Sequence, residues 1–538
     1  MLTRFPKVVQ EVALARHATL HYGKKTVNWN DFQDAVSLFM TKLDQIKTLF
    51  RDPNTLLDVE ALGAIVLVSS ISNLSRKSEY GDIQELLVGL ETLVTSLLPF
   101  DSSKPHDTIY SLLSLARDTP EQFNAERNAA LEEESTFTME VEYQKPAIEV
   151  FIDFTKRCIQ TSKSLDIICR YWAPEIDQVQ FPSWIRKIKN SAFGDAQDGL
   201  QGRRNADSLV GSPLRATRKT YNASRGSTAT DATVQFGPLQ RWSSNFLGVG
   251  AETDRATDPP PTAQQANSSL PRLSQRDLYT LNIKGFQLAT IIGKSGRILG
   301  GIIDHDWLRH GGWNPKKRAT VPDKLWRTLV ADRGPDGGNP PGWYRRACSQ
   351  CLNDVAITDV NGDFNVSYAQ VSTRKPTSDI MMQFLKRVRS VVWNRAFFVA
   401  KSFCGNCRTH GHSFSECSKP SRSRNPSVAG VPPVDTSDIE AASDAFYDEL
   451  PHEESDIVYS SDYLYGLAPG NSRVKDIICI LSGCTVPVVL RPHGTPEGDP
   501  YYELVGEAFV YGKMDGEVMI GLKQATIETR LNQWFTLR

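Results

Sequence analysis

Nowhere in the 538 residues does an apolar run approach the roughly 20 residues that a membrane-spanning helix needs. The N-terminus, MLTRFPKVVQEVALARHATL, also lacks the continuous apolar core of a signal peptide. Membrane and secretory readings drop out, and a cytoplasmic protein is expected. Excess charge of either sign is lacking too: 61 Lys+Arg face 62 Asp+Glu, for a formal net charge of -1. With no overall field to attract a polyanion, any nucleic-acid affinity has to be local. Cysteine is sparse, nine residues partly arranged as two C-x-x-C pairs, which suits reduced thiols or metal ligands better than a disulfide framework. In that compartment the glycosylation-type triplets at Asn222, Asn267 and Asn365 mean little. Internal repeats are missing as well.

What is present is enough apolar material for at least one sizeable core, 40% of residues, in a chain long enough for two to four domains. Phe32, Ala35, Val36, Phe39, Met40 and Leu43 recur at helical spacing, and Leu86, Leu87, Leu90, Leu93 and Leu97 repeat the pattern. Ile148, Phe151, Ile152, Thr155, Cys158 and Ile159 predict a further helix. LYTLNIKGFQLATII reads as strand, DKLWRTLVADR and SDIMMQFLKRVRSVVWNRAFFVAK as helical or mixed, and DIICILSGCTVPVVLRP and YYELVGEAFVYG as β-branched and aromatic strands. The expected fold class is α+β, with a helical N-terminal half, a β-rich C-terminal half and two long disordered insertions. The first insertion, 191–273, is Gly/Ser/Thr/Pro-rich, and the second, 418–461, is an acidic linker with few large apolar residues. The helical region is placed at 26–190, and the β-rich domain at 274–403 and 462–538.

The sharpest local motif is CGNCRTHGHSFSEC, residues 404–417, in which Cys404, Cys407, His412 and Cys417 have zinc-knuckle spacing. Three thiolates and an imidazole satisfy tetrahedral Zn²⁺, and the short spacers let one loop wrap the ion. His410 is an alternative ligand by spacing. Knuckles of this kind hold single-stranded nucleic acid by base stacking beside basic residues. Phe414 is the stacking candidate and Lys419, Arg422 and Arg424 the basic ones, although Gly405 stands where an aromatic is usual. IIGKSGRIL, residues 291–299, matches the Gly-x-x-Gly loop of a KH domain, but the glycines that follow oppose the required helix and favour a hairpin turn. DVNGDFNVSYAQ, residues 359–370, fails as a calcium loop because its glycine is misplaced and Gln370 closes it. Cys348, Cys351, Cys479 and Cys484 are expected core thiols, and Trp184, Trp307 and Trp313 core aromatics. Asp107 is expected to cap a helix, and Asp107, Asp166, Asp304 and His305 to be structural.

YYELVGEAFVYGKMDGEVM, Tyr501 to Met519, preceded by NSRVKDIICILSGCTVPVVLRP, resembles the C-terminal signature of fungal heterokaryon incompatibility proteins. Other landmarks arrive in that family's order: RFPKVVQEVALARHATLHYG, KPHDTIYSLLSLA, SLDIICRYWAP with FPSWI, RRNADSLVGSP with YNAS, IKGFQLATI, KLWRTLVADR and GLAP. Phe5 replaces a usual Trp and His106 a usual Arg. The resemblance implies a role in non-self recognition and programmed cell death through an unknown protein partner. It also implies that residues 1–25 are the tail of the family's incompatibility domain, a domain related to the Toll-receptor-like (TIR) fold. The chain is therefore expected to be N-terminally truncated, to lack its effector domain and to have no enzymatic activity. The alternatives are a zinc-knuckle protein binding single-stranded nucleic acid, and a TIR-related NAD-cleaving enzyme requiring an upstream segment.

Overall fold

The computed structural model describes residues 6–47, 67–68, 71–72, 74–97, 104–119, 139–177, 179–188, 208–211, 220–237, 279–315, 320–367, 379–404, 409–410, 463–495, 498–520, 527 and 531–538. The chain starts with α1 (Pro6–Leu14), the hairpin β1 (Thr19–Tyr22) and β2 (Lys25–Asn28), then α2 (Trp29–Thr41) and α3 (Leu43–Lys47). Asn28 caps α2 by accepting from the Asn30 N–H. A second hairpin, β3 (Ser75–Lys77) and β4 (Ile83–Leu86), leads into α4 (Leu90–Ser96). Helical spacing placed Leu86 and Leu87 on one helix with Leu90, Leu93 and Leu97. Instead, Leu86 pairs with Ser75 in the hairpin, and the helix starts after Gly89, with the Leu90 N–H donating to Asp118 Oδ1 at 2.7 Å. A carboxylate 28 residues away thus sets this helix start.

Then follow α5 (Asp107–Tyr110), α6 (Ala147–Ser162), the short parallel pair β5 (Tyr171–Ala173) and β6 (Arg186–Lys187), and β7 (Val234–Phe236). α6 buries the face that its spacing predicted and ends at Lys163 in the left-handed region, φ 52. Asp107 does not cap α5: it is the first helical residue, and its carboxylate accepts from the Tyr143 hydroxyl at 2.6 Å. Within 191–273, residues 208–211 and 220–237 are ordered parts of the fold, with Leu209, Val210, Tyr221, Ala223, Ala229 and Val234 buried. The rest of that stretch, and all of 418–461, lies outside the described residues.

The C-terminal half is organised on β8 (Leu281–Lys294). After it come β9 (Ile302–Ile303), α7 (His305–His310), α8 (Asp323–Leu329), α9 (Tyr344–Asn353), β10 (Phe364–Asn365) and α10 (Asp379–Val392). Among the described residues, the half expected to be β-rich therefore carries four helices between two of its strands. Because β9 pairs with β10 and not with β8, residues 291–299 form no hairpin turn. The remaining strands are β11 (Arg395–Cys404), β12 (Thr409–His410), β13 (Tyr463–Pro469), β14 (Ile477–Leu481), β15 (Val488–Thr495), β16 (Gly498–Glu507), β17 (Phe509–Val510) and β18 (Gln533–Leu537).

These strands close on themselves. One side of β8 pairs with β11, β11 with β13, and β13 with β17, which continues β16 beyond Ala508. β16 pairs with β15, β15 with β14, and β14 returns to the other side of β8. At the far end β18 replaces β11 and β13, running antiparallel to Leu281–Gly285 and touching β16 at Tyr502. The result is a small barrel with no free edge along this circuit. Its interior holds Phe286, Leu288, Ile291, Phe398, Ala400, Ile478, Ile480, Val489 and Val505, among others. The alternate residues Ile477, Cys479, Leu481, Val488, Leu490, Leu504 and Phe397 face outward yet are also buried, against the helices and the N-terminal half. Burial on both faces is why IICIL is continuously apolar. Gly466 permits the closure: a Cβ there would meet Phe509 O at 1.9 Å and the Phe398 ring at 2.9 Å.

The outer core is continuous from Val9 to Leu537. N-terminal segments are bonded directly to the barrel: Leu165 N to Gly483 O, Arg186 to Leu504 O and Val505 O, and Ala223 N to Thr485 O. The described residues of 26–190 and the barrel share this one core.

Candidate functional site

Cys404 ends β11 and pairs in register with Thr409, as Phe403 does with His410, so the first expected zinc ligand stands at the mouth of a β-hairpin. Cys407, His412 and Cys417 lie outside the described residues, as do Phe414, Lys419, Arg422 and Arg424. The other six cysteines, Cys158, Cys169, Cys348, Cys351, Cys479 and Cys484, are buried free thiols. Burial pushes Cys351 up to about 12 and Cys348 and Cys479 well above the usual thiol range, which makes them poor nucleophiles. Cys169 and Cys484, 315 residues apart, bring their sulfurs to 3.9 Å across the junction between the N-terminal half and the barrel.

Of the carboxylates singled out in the sequence, none joins another in an acid/base set among the described residues. Asp107 serves Tyr143, and Asp166 Oδ1 accepts from both Thr485 N–H and Thr485 Oγ1 at 2.9 Å. Asp304 caps α7 through the Asp306 N–H, and His305 sits beside Asp304, Asp306 and Asp363 in an exposed acidic group. Trp184 and Trp313 are core aromatics as expected, whereas Trp307 is half-buried and lends its carbonyl to the Tyr465 hydroxyl.

The structure does assemble polar side chains around the loop DRGPDGGNPPGWYRR, Asp332–Arg346. Val330 is the C-cap of α8, and the next two residues, Ala331 and Asp332, both adopt left-handed backbone, φ 50 and 48. For residues with a Cβ each such conformation costs about 1–2 kcal/mol, so the surroundings must hold it. The Tyr221 hydroxyl donates to Ala331 O, Asp332 N–H to Arg327 O at 2.7 Å, and the Arg327 guanidinium to Asp332 Oδ1 at 2.5 Å. Arg333 Nη2 then donates to both oxygens of Asp515, at 2.7 and 2.6 Å, with the guanidinium 4.4 Å from the Tyr221 ring centre. A charge-assisted contact to the carboxylate and an aromatic face make this a fixed node. Three landmarks far apart in sequence, YNAS, KLWRTLVADR and the closing block, meet in it.

Two cavities flank the loop and share Asn339. One, about 450 Å³, is lined by Tyr221, Asn222, Arg333 and Asp515. The other, about 720 Å³, is lined by Trp326, Arg327, Asp332, Trp343, Arg345 and Arg346 together with Asp323. Burial pushes the Asp332 carboxyl up, against the pull of Arg327. Sequence reasoning passed over these residues. The available signal was an Arg-Arg pair at the start of a helix, directly after a Gly/Pro-rich loop. The Arg333–Asp515 contact, spanning 182 residues, left no local trace.

A second node lies inside the fold. Glu507 is 7% exposed and accepts from the Leu209 and Val210 N–H groups and from Arg395 at 2.7 Å. Arg395 also donates to Val391 O. This pair ties the RRNADSLVGSP landmark to the barrel.

Compared with known protein families, residues 434–526 match the Het-6 beta-barrel domain, which fits a fungal heterokaryon-incompatibility-related family. The matched stretch contains β13 to β17, while β8, β11 and β18 complete the barrel from outside it. No curated protein and no solved structure matches the chain. Among the described residues no helix is long and apolar enough to cross a membrane.

Proposed function

We propose that this chain is a heterokaryon-incompatibility protein that recognises a non-self protein partner and, through that partner, commits the fused fungal cell to programmed death. The observation carrying the reading is the Het-6 beta-barrel match on the strands β13 to β17, with the other landmarks packed around the same barrel in one core. Recognition without catalysis is the role proposed for the chain itself. Supporting that part, the landmark carboxylates Asp107 and Asp166 are engaged by Tyr143 and Thr485, and the described thiols are buried. The test is to express the chain in a compatible fungal strain and score vital-dye uptake after fusion with strains carrying divergent alleles. Death confined to particular pairings, and lost when the gene is deleted, is the expected result. Uniform survival across a broad allele panel, with the protein present at normal abundance, overturns the reading.

The hairpin register Cys404↔Thr409 favours a second activity, Zn²⁺ bound by Cys404, Cys407, His412 and Cys417, with single-stranded nucleic acid held by Phe414, Lys419 and Arg422. One zinc per chain and salt-dependent oligonucleotide binding, both abolished by Cys407→Ser, are expected. A metal-free purified protein excludes it.

A further inference from the structure

We propose that the 720 Å³ cavity beside the Asp332–Arg346 loop is a binding site for a small, multiply charged phosphate-bearing anion, gripped by Arg345 and Arg346. The inference rests on the charges of this cavity alone and stands apart from the incompatibility reading.

Arg345 and Arg346 occupy the first turn of α9, where the helix field repels cations, and no acidic residue in that turn offsets them. Both side chains are exposed, both line the cavity, and neither has an ion-pair partner among the described residues. The neighbouring arginines are treated differently. Arg327 is tied to Asp332 at 2.5 Å, with Asp323 at 3.7 Å, and Arg333 is tied to Asp515. The acidic groups of the site are therefore already engaged, leaving Arg345 and Arg346 without a counter-charge among the described residues. An adjacent pair of unneutralised cations in an unfavourable helix position breaks a local rule, and such breaks concentrate where function offsets their cost.

The geometry also selects the ligand class. Guanidinium forks match phosphoryl oxygens bidentately, and two of them lining one cavity suit a ligand with two linked phosphoryl groups better than one carboxylate. The half-buried Trp343, which packs edge-on against Tyr344 at 4.5 Å, lines the same cavity and offers a surface for a flat ring. Inorganic polyphosphate and a nucleoside polyphosphate share this chemistry.

The full-length protein titrated with inorganic pyrophosphate and with ATP, each without added metal, tests the proposal by calorimetry. Saturable binding of at least one probe is expected, weakened at least tenfold in R345Q/R346Q and progressively lost as salt rises. Tighter binding of ATP than of pyrophosphate, with the difference erased in W343L, assigns the organic source. Equal binding assigns the inorganic one. Absence of saturable binding of either probe to the wild-type protein, or binding unchanged in the double variant, overturns the proposal. Both replacements are at exposed positions, and an unchanged melting temperature shows that the fold is retained.

Discussion

Glu507 shows how much one residue can hold in this fold. Its carboxylate satisfies two backbone N–H groups and one buried guanidinium, so Glu507→Ala removes the carboxylate paired at 2.7 Å with Arg395, itself 6% exposed. Removing one member of a buried pair costs about 3–5 kcal/mol, whereas replacing both by apolar residues costs far less. Urea unfolding is therefore expected to show a large loss of stability for E507A and a smaller one for R395M/E507L. Equal losses would mean that an unpaired buried charge is not what destabilises E507A. Tyr143 supplies a pH-dependent counterpart. Its hydrogen bond to Asp107, then burial, raises its phenol from 10.0 to about 12. A folded-state value above the unfolded one favours the protonated phenol, so the contribution is complete below pH ~10 and disappears as pH rises through ~12. Alkaline titration at the phenolate absorbance is expected to show one fewer late-ionising tyrosine in Y143F, and an earlier ionisation of Tyr143 in D107N.

At the level of elements, the strands that close the barrel were legible where both faces are buried. IICIL and VVL are β-branched runs with no amphipathic alternation, and both are strands. α6 was legible for the complementary reason, an apolar stripe at helical spacing on one side only. Leu86 and Leu87 misled because their spacing to Leu90 is helical while the hairpin and the Asp118 cap, 28 residues away, decide where the helix starts. Local spacing cannot report a cap supplied by another segment. The hairpin β11–β12 carries a prediction of its own. Six of the nine cysteines are buried, leaving Cys404, Cys407 and Cys417. Burial holds several of the six as protonated thiols, so the native protein is expected to expose at most three reactive thiols to a disulfide reagent at pH 8. If zinc occupies the knuckle, even those react only after a chelator is added, and chelation leaves the barrel's circular dichroism unchanged. Rapid labelling of more than three thiols in the native state would contradict the packing around Cys348 and Cys479.

For the whole molecule, the deciding fact is that the barrel is assembled from distant pieces. β8 and β11 are separated by the helices α7 to α10, and β13 follows β11 only after residues 411–462. Composition and periodicity marked the individual strands, but closure depends on pairings such as Phe398↔Gly466 and Ile480↔Phe286, which have no local signature. The same distance explains why the Tyr221–Arg333–Asp515 node was invisible in the sequence while its three segments could be recognised singly. It also limits what the matched stretch can do alone. A fragment of residues 434–526 retains β13 to β17 but loses β8, which pairs with β14, and β11, which pairs with β13. Ile478, Ile480 and Val489 would then face water in place of Phe286, Ile291 and Phe398, and two strands would present unpaired edges. The fragment is expected to be aggregated or unfolded, with no dispersed amide resonances, whereas the full chain melts in a single transition because its outer core runs unbroken from Val9 to Leu537. A soluble, cooperatively folding 434–526 fragment would show that the barrel can close without β8. In that case the N-terminal half would be a covering, not a structural partner, of the barrel.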